Sequence, residues 1–344
     1  MAYTTINKST DYFNTKLYTG NYSTNAITGV GHQPDMVWLK SRSFAQNHEM
    51  YDVVRTATKR IYPNGSYVED TDTAGLTAFN SDGFTLGSSN SSNKSGDTFA
   101  SWNWKAGTGQ GSSNTDGSIN TTYTSVNTTA GFSISKYTGT GSTATVGHGL
   151  GVTPKMIIFK NTSSSVDWRV YHEALGNTHR LCLNDTSAST DDDSAFNDTS
   201  PTSTVFTVGG SSSTNAGTMI AYCFASKTGY SKIGSYTGNG NADGTFVYTG
   251  FKPAFVMMKR TDNTNHFAIY DNKRNGFNDE NNYLRADGTY AEGNETWGDL
   301  DILSNGFKPR AVDGMHNASG ATYIYMAFAE APLVGTNNVP CTAR

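Results

Sequence analysis

The chain has 344 residues, 16% of them charged, with a net charge of −4 and a pI near 6.0. Nucleic acid and anionic membranes are drawn to a basic face, which this balance does not supply. Gly, at 36 residues, joins Ser, Thr and Asn at most polar positions, yet 12% aromatic content is too rich for a disordered chain. Short β-strands joined by polar turns fit this composition.

Residues 1–13 read as a polar N-terminal arm. The opening "MAYTTINKSTDYF" has no basic region followed by an apolar run, so no secretory leader is expected. Apolar runs such as 156–159 fall far short of the ~20 residues of a membrane helix. The chain is expected to be made soluble in a cytoplasm, without membrane insertion.

From Lys16 the chain reads "KLYTGNYSTNAITGVGHQPDMVWLK", and it then says nearly the same thing twice more. Tyr18, Tyr137 and Tyr236 each precede Thr-Gly, and Pro34, Pro154 and Pro253 lie 16, 17 and 17 residues on. A lysine follows each proline by six (Lys40, Lys160, Lys259), and a tyrosine each lysine by eleven (Tyr51, Tyr171, Tyr270). Phe84, Phe206 and Phe307 recur next. Each unit closes on an aromatic-alanine run that includes Trp104, Phe224 or Phe328. The period of about 100 residues is too long for a solenoid and long enough for a domain with its own core. Repeat 1 spans 14–106, a polar linker 107–129, repeat 2 130–226, repeat 3 227–332 and a C-terminal tail 333–344. The linker's "SINTTYTSV" alternates and can hold an edge strand. With almost nothing between them, repeats 2 and 3 are expected to pack as a stiff pair.

Within repeat 2 the pattern predicts strands over 132–138, 143–147, 154–160, 168–172, 180–184, 205–208 and 219–225. Seven short strands with Gly, Asn and Ser turns predict an antiparallel β-sandwich, jelly-roll or Ig-like. The fold class is thus all-β, with three tandem β-sandwich repeats. The run after each proline is apolar on both faces, which predicts a covered central strand with the proline at its first position. The repeated phenylalanines and the closing aromatics are the predicted core.

The search for chemistry returns no catalytic, cofactor or metal site. The residue after the second anchor tyrosine is Asp52, His172 and Asp271 in turn, so no single titratable machine repeats; a polar strand-end residue fits better. His32 and His148 share a place before the proline strand without a second recurring ligand, which favours a hydrogen-bonded turn histidine. The run Asp191–Asp193 offers clustered oxygens for calcium but lacks EF-hand spacing. Glu292 and Glu295 resemble a glycosidase pair only in being close in sequence. Cys182, Cys223 and Cys341 form no metal-type spacing and read as reduced thiols. The candidate surface-binding aromatics are Trp297 and Tyr290 in a polar loop, and the matched trio Trp168, His48 and Phe267.

The run "VGHGLGVTPKMIIFK" with "WRVYHEALGNT", then "GYSKIGSYTGNGNADGTFVYTGFKPAFVMMKRTD" and "LSNGFKPR…NASGATYIYMAFAEAP", resembles a family of marine phage proteins. "TKLYTG" and "SDGFTLG…WNWKAG" carry the likeness into repeat 1, so it covers nearly the whole chain. The resemblance implies a β-rich virion structural, tail-fibre or appendage protein at the particle surface, without catalytic residues. Capsid decoration and a glycan-binding or glycan-degrading tailspike are the alternatives. The expected partners are other copies of the chain, a trimer first, other virion proteins, and a host surface glycan or protein. Isolated sandwiches leave edge strands, and the two polar ends are expected to reach across to neighbouring copies.

Overall fold

Each repeat places its anchor tyrosine and lysine on strands of one antiparallel sheet in the computed structural model, which describes residues 4–335 and 340–342. Repeat 1 contains β1 (Phe13–Thr19), β2 (Asn25–Thr28), β3 (Met36–Ser41), β4 (Glu49–Asp52), β5 (Lys59–Arg60), β6 (Asp70–Thr71), β7 (Leu76–Asn80), β8 (Gly83–Leu86) and β9 (Thr98–Trp104). Its large sheet runs β1-β9-β3-β4 and its small sheet β2-β8-β7.

The linker supplies β10 (Tyr123–Asn127). Repeat 2 follows with β11 (Phe132–Thr140), β12 (Ala144–Gly147), β13 (Met156–Asn161), β14 (Arg169–His172), β15 (Gly176–Leu181), β16 (Thr190–Asp191), β17 (Val205–Val208) and β18 (Ala216–Phe224). Its sheets run β10-β11-β18-β13-β14-β15-β16 and β12-β17. Repeat 3 has β19 (Ser231–Thr237), β20 (Val247–Tyr248), β21 (Phe251–Arg260), β22 (Phe267–Asp271), β23 (Leu284–Arg285), β24 (Leu300–Leu303), β25 (Gly306–Pro309) and β26 (Thr322–Pro332). Its sheets run β19-β26-β21-β22-β23 and β20-β25-β24.

The register also repeats. The first strand pairs with the last, and the last with the strand after the proline: Met36, Met156 and Phe255 lie opposite Trp104, Phe224 and Phe328. The second strand pairs in a second sheet with the one carrying the repeated phenylalanine. The repeats are thus two-layer antiparallel sandwiches. Their strands alternate between sheets at both ends of the chain order, unlike the ABED/CFG division of an immunoglobulin domain. The prolines sit differently from the sequence reading. Pro34 and Pro154 lie two residues before β3 and β13, and Pro253 lies inside β21 between two register shifts. A missing N–H is tolerated at each place because a bulge or a strand's approach needs no ladder bond.

Side-chain alternation explains why the strand after each proline is apolar on both faces. Val37 and Leu39 face Ile27, Phe84 and Leu86 inside repeat 1. Ile157 and Phe159 do the same with Phe206, and Val256 and Met258 with Phe307. The opposite faces of β3, β13 and β21, carrying Met36, Trp38, Met156, Ile158, Phe255 and Met257, join in one cluster common to all three repeats. At its centre the matched last-strand aromatics meet. Trp104 lies 5.7 Å from Phe328 and 6.5 Å from Phe224, and Phe224 lies 6.1 Å from Phe328, centroid to centroid. The six predicted core aromatics are all buried, three in the private cores and three at this junction.

Each repeat has the expected core of its own, and the opposite face of its large sheet packs into the cluster shared with the other two repeats. Repeats 2 and 3 pack together as expected, and repeat 1 closes on both of them. One expectation is corrected: the N-terminal segment is not a free arm over its described residues. Thr4 and Ile6 are buried, and the Thr4 hydroxyl donates to Thr228 O at 2.7 Å. In the tail, the Cys341 N–H donates to Leu333 O and its thiol to Ser304 O, so these residues fold back on their own chain.

Candidate functional site

Three seams run outward from the shared core, and each is built from the same positions. The anchor lysines extend from the inner faces of β3, β13 and β21 to the rim, where each ammonium donates to a backbone carbonyl of the neighbouring repeat. Lys160 of repeat 2 reaches Ser66 O of repeat 1 at 2.9 Å. Lys259 of repeat 3 reaches Thr186 O of repeat 2 at 2.8 Å. Lys40 of repeat 1 reaches Thr289 O of repeat 3 at 3.3 Å, which closes the ring. Beside each lysine, a backbone N–H of the neighbouring loop donates to the carbonyl two residues beyond it: Glu69 to Thr162, Ser189 to Thr261 and Glu292 to Arg42. All three lysines are almost wholly buried, and burial pushes their ammonium groups down, Lys40 to about 7 and Lys160 and Lys259 to about 8.

The matched residues Asp52, Asp271 and His172 lie deeper in the seams. Asp52 Oδ2 accepts from Arg55 Nε at 2.6 Å and from the Tyr222 hydroxyl of repeat 2 at 2.6 Å. Asp271 Oδ2 accepts from Arg274 Nε at 2.6 Å and from Trp102 Nε1 of repeat 1 at 3.0 Å. In the third seam the position that matches Tyr222 and Trp102 is Met326, which has no donor, and the arginine position is Leu175. His172 Nδ1 accepts from the Ala174 N–H, so Nε2 carries the proton and donates to Tyr325 O of repeat 3 at 3.4 Å. Burial pushes His172 down to about 4, which keeps the imidazole neutral. The Asp/His alternation is a matched exchange of seam partners. The sequence reading missed Arg55 and Arg274, although their common place three residues after the aspartate was legible.

The candidate surface aromatics separate. His48, Trp168 and Phe267 are buried and lie in the seams. Trp168 Nε1 donates to Tyr62 O and Gly65 O of repeat 1 at 2.9 and 3.1 Å. His48 Nδ1 accepts from Trp38, so its Nε2 donates to Arg285 O of repeat 3 at 3.0 Å. Phe267 lies under the Lys259 ammonium, 5.6 Å from the ring centroid. None of the three can meet an outside ligand; the strand start they share turns inward because the neighbouring repeat covers it. Tyr290 is 51% exposed, with the Arg285 guanidinium 4.7 Å from its ring centre and His266 at its edge. The side chain of Trp297 lies outside the described residues.

The other polar candidates have internal partners. Glu292 is paired with Arg42 across the seam and with Arg274, and Glu295 accepts from the Tyr283 hydroxyl. Asp192, at the centre of the 191–193 run, accepts from Arg180 and Ser194. Among the described residues no three His, Cys, Asp or Glu side chains converge as metal ligands. His32 is held by Thr10 O and His148 by Thr202 O, both buried in turns. A further group repeats. Asn93, Asn215 and Asn317 are buried, and each Oδ1 accepts the N–H three residues after the first anchor tyrosine. That tyrosine's hydroxyl donates to the carbonyl just before the asparagine.

Two seams leave clefts. One of about 520 Å³ lies between repeats 2 and 3, lined by Leu175, Ser189, Ser235, Thr237, Thr261 and Thr322 among others. One of about 350 Å³ lies between repeats 3 and 1, beside Asn14–Leu17, Gly29 and Lys273.

Fold and seams together define a class: an all-β protein with three sandwiches fused in a ring about one core. The chain belongs to the family described as a domain of unknown function (DUF7483), whose model matches residues 8–332. No curated protein and no solved structure matches the chain.

Proposed function

We propose that this chain is a non-enzymatic structural protein of a bacteriophage virion surface, a tail-fibre or appendage subunit. The observation that carries this reading is the use of the repeated ionisable residues. Lys40, Lys160, Lys259, Asp52 and Asp271 recur because they hold repeat to repeat. A catalytic group needs a titratable side chain open to a substrate; these face neighbouring repeats. The likeness of the repeat motifs to marine phage structural proteins supports the same reading. Fibre-like assemblies often gather three similar units about an axis. Here one chain supplies three, so the chain is proposed to work as a compact unit without needing two further copies.

The three-fold-like ring also supports capsid decoration, since a body with three similar sides fits a three-fold position on a shell. Immunogold labelling of intact particles, with antibody to the purified chain, separates the readings. Label at the tail or its appendages is the expected result, and label over the shell would select decoration. Particles free of label, from lysates that contain the chain, would overturn both.

A further inference from the structure

The seam between repeats 1 and 2 holds a strand where the other two hold clefts. β10 from the linker pairs antiparallel with the outer edge of β11, Tyr123 opposite Lys136 and Ser125 opposite Ile134, and the Thr122 N–H donates to Lys136 O at 2.7 Å. Among the described residues, the matched first strands, β1 and β19, end their sheets with no strand beside them. By the anchor tyrosines, Lys136 corresponds to Leu17 and Ser235.

The direction of the backbone groups follows from the ladders. Asp35 N–H donates to Trp104 O, so Trp104 faces β3 and its alternate neighbours Asn103 and Ser101 face β1. Their partners Asn14 and Lys16 are then the bonded ones, and Leu17 turns its N–H and C=O away from β9. In repeat 3, Ala329 N–H donates to Tyr230 O, so Tyr325 and Tyr323 face β19 and Ser235 turns outward. The inner halves of both edges are sealed. Phe13 and Thr15 are buried, and the Ile233 N–H donates to Ser226 Oγ. In the outer halves Ser235, Thr237 and Thr19 are exposed and Leu17 is half-buried; Thr19 O accepts from Asn25 Nδ2 and Thr237 O from the Thr245 hydroxyl, which leaves the outward groups of Leu17 and Ser235 open. The larger cleft is lined by Ser235 and Thr237, and the smaller runs along Asn14–Leu17 and meets the outer half at Leu17.

We propose that the outer halves of β1 and β19 are docking sites for an extended segment of a separate protein, added as a short edge strand. The chain's own β10 shows what the position accepts: an uncharged, hydroxyl-rich stretch, Thr-Tyr-Thr-Ser-Val-Asn. The larger cleft shares that chemistry in part, with Ser189, Thr237, Thr261 and Thr322 beside Leu175 and Ile324, and with Asp262 and His179 also on its lining. The smaller cleft offers Asn14, Thr15 and Leu17 together with Lys16 and Lys273. Strand addition takes affinity from main-chain hydrogen bonds and selectivity from alternate side chains. Two such sites on one body add avidity for a partner presenting the segment repeatedly. The inference concerns partner chemistry and holds wherever the chain is located.

The probe is a synthetic peptide of residues 120–127, "NTTYTSVN", titrated into the intact chain and followed by NMR with amide exchange. Saturable binding is expected, with Leu17 and Ser235 amides becoming protected. Leu17→Pro and Ser235→Pro should each weaken binding at their own cleft about tenfold or more, because proline removes the outward N–H while sparing the inner ladder. Thr237→Arg provides a variant without backbone change, filling the larger cleft and weakening binding there alone. No binding at millimolar peptide, binding elsewhere, or binding that survives all three substitutions would overturn the proposal. So would self-association of the chain through these edges, read as a concentration-dependent mass that the two prolines abolish.

Discussion

The seams beside Asp52 and Asp271 and the seam beside His172 solve one packing problem in two ways. In the first two, a buried carboxylate is held by an arginine three residues on and receives a donor, Tyr222 or Trp102, from the next repeat. In the third, three positions have changed together: His172 for aspartate, Leu175 for arginine and Met326 for the aromatic donor. The physical reason is that a buried carboxylate without its guanidinium or donor is an uncompensated charge. A neutral histidine bonded to a carbonyl avoids that cost, and methionine packs without needing a partner.

The comparison can be broken at its ionic seams with the largest effect. Asp52→Ala leaves Arg55 charged and the Tyr222 hydroxyl unpaired, and should lower stability by about 3–5 kcal/mol in denaturant titrations. The sharper experiment converts that seam to the third kind with Asp52→His, Arg55→Leu and Tyr222→Met. Most of the loss should return, whereas Asp52→His alone should remain as damaging as alanine. Equal stability of the single and triple variants would sink the matched-exchange account.

Phe224→Ala at the centre and Phe206→Ala in the private core of repeat 2 should each cost about 3–5 kcal/mol. They differ in reach. The first should speed amide exchange in all three repeats, the second chiefly in repeat 2. Confinement of both to repeat 2 would argue against the shared core.

Acid distinguishes the seams next. His172 is depressed by burial to about 4. An unfolded chain takes up that proton below about 6.5, while the folded chain does not until about 4, so stability contributed by neutral His172 is lost as pH falls through that window. His32 and His316, also near 4, act in the same direction. His172→Gln should therefore reduce the pH dependence of stability between about 4 and 6.5 by roughly 1.4 kcal/mol per pH unit. An unchanged slope would show that His172 is not the group responsible.

The smallest effect is expected at Trp104. Its indole N–H is buried without a partner, and the other two repeats carry phenylalanine there. Relief of the orphan donor should offset the lost ring area, leaving Trp104→Phe within about 1 kcal/mol of the parent by thermal melting.

The all-β class and the recurrence of its strands were legible because the anchors recur at fixed spacing. A strand with two apolar faces was also legible as covered, as with Met36–Ser41. What covers the second face was not, since alternation reports burial and not the burying partner. The same limit hid the seams. Trp168, His48 and Phe267 read as rim candidates because each starts a strand beside a polar loop, yet that loop lies under the next repeat. The buried lysines read as anchors without a role because their partners are backbone carbonyls, which leave no mark in the sequence. Asn93, Asn215 and Asn317 were findable as a repeat but sit in Ser- and Thr-rich turns that mask them.

Calorimetry of the intact chain tests the shared core most directly. If three sandwiches depend on one another for a face of each large sheet, the chain should melt in a single transition with equal calorimetric and van't Hoff enthalpies. Two or three resolved transitions, each assignable to one repeat and little altered by Phe224→Ala, would contradict it.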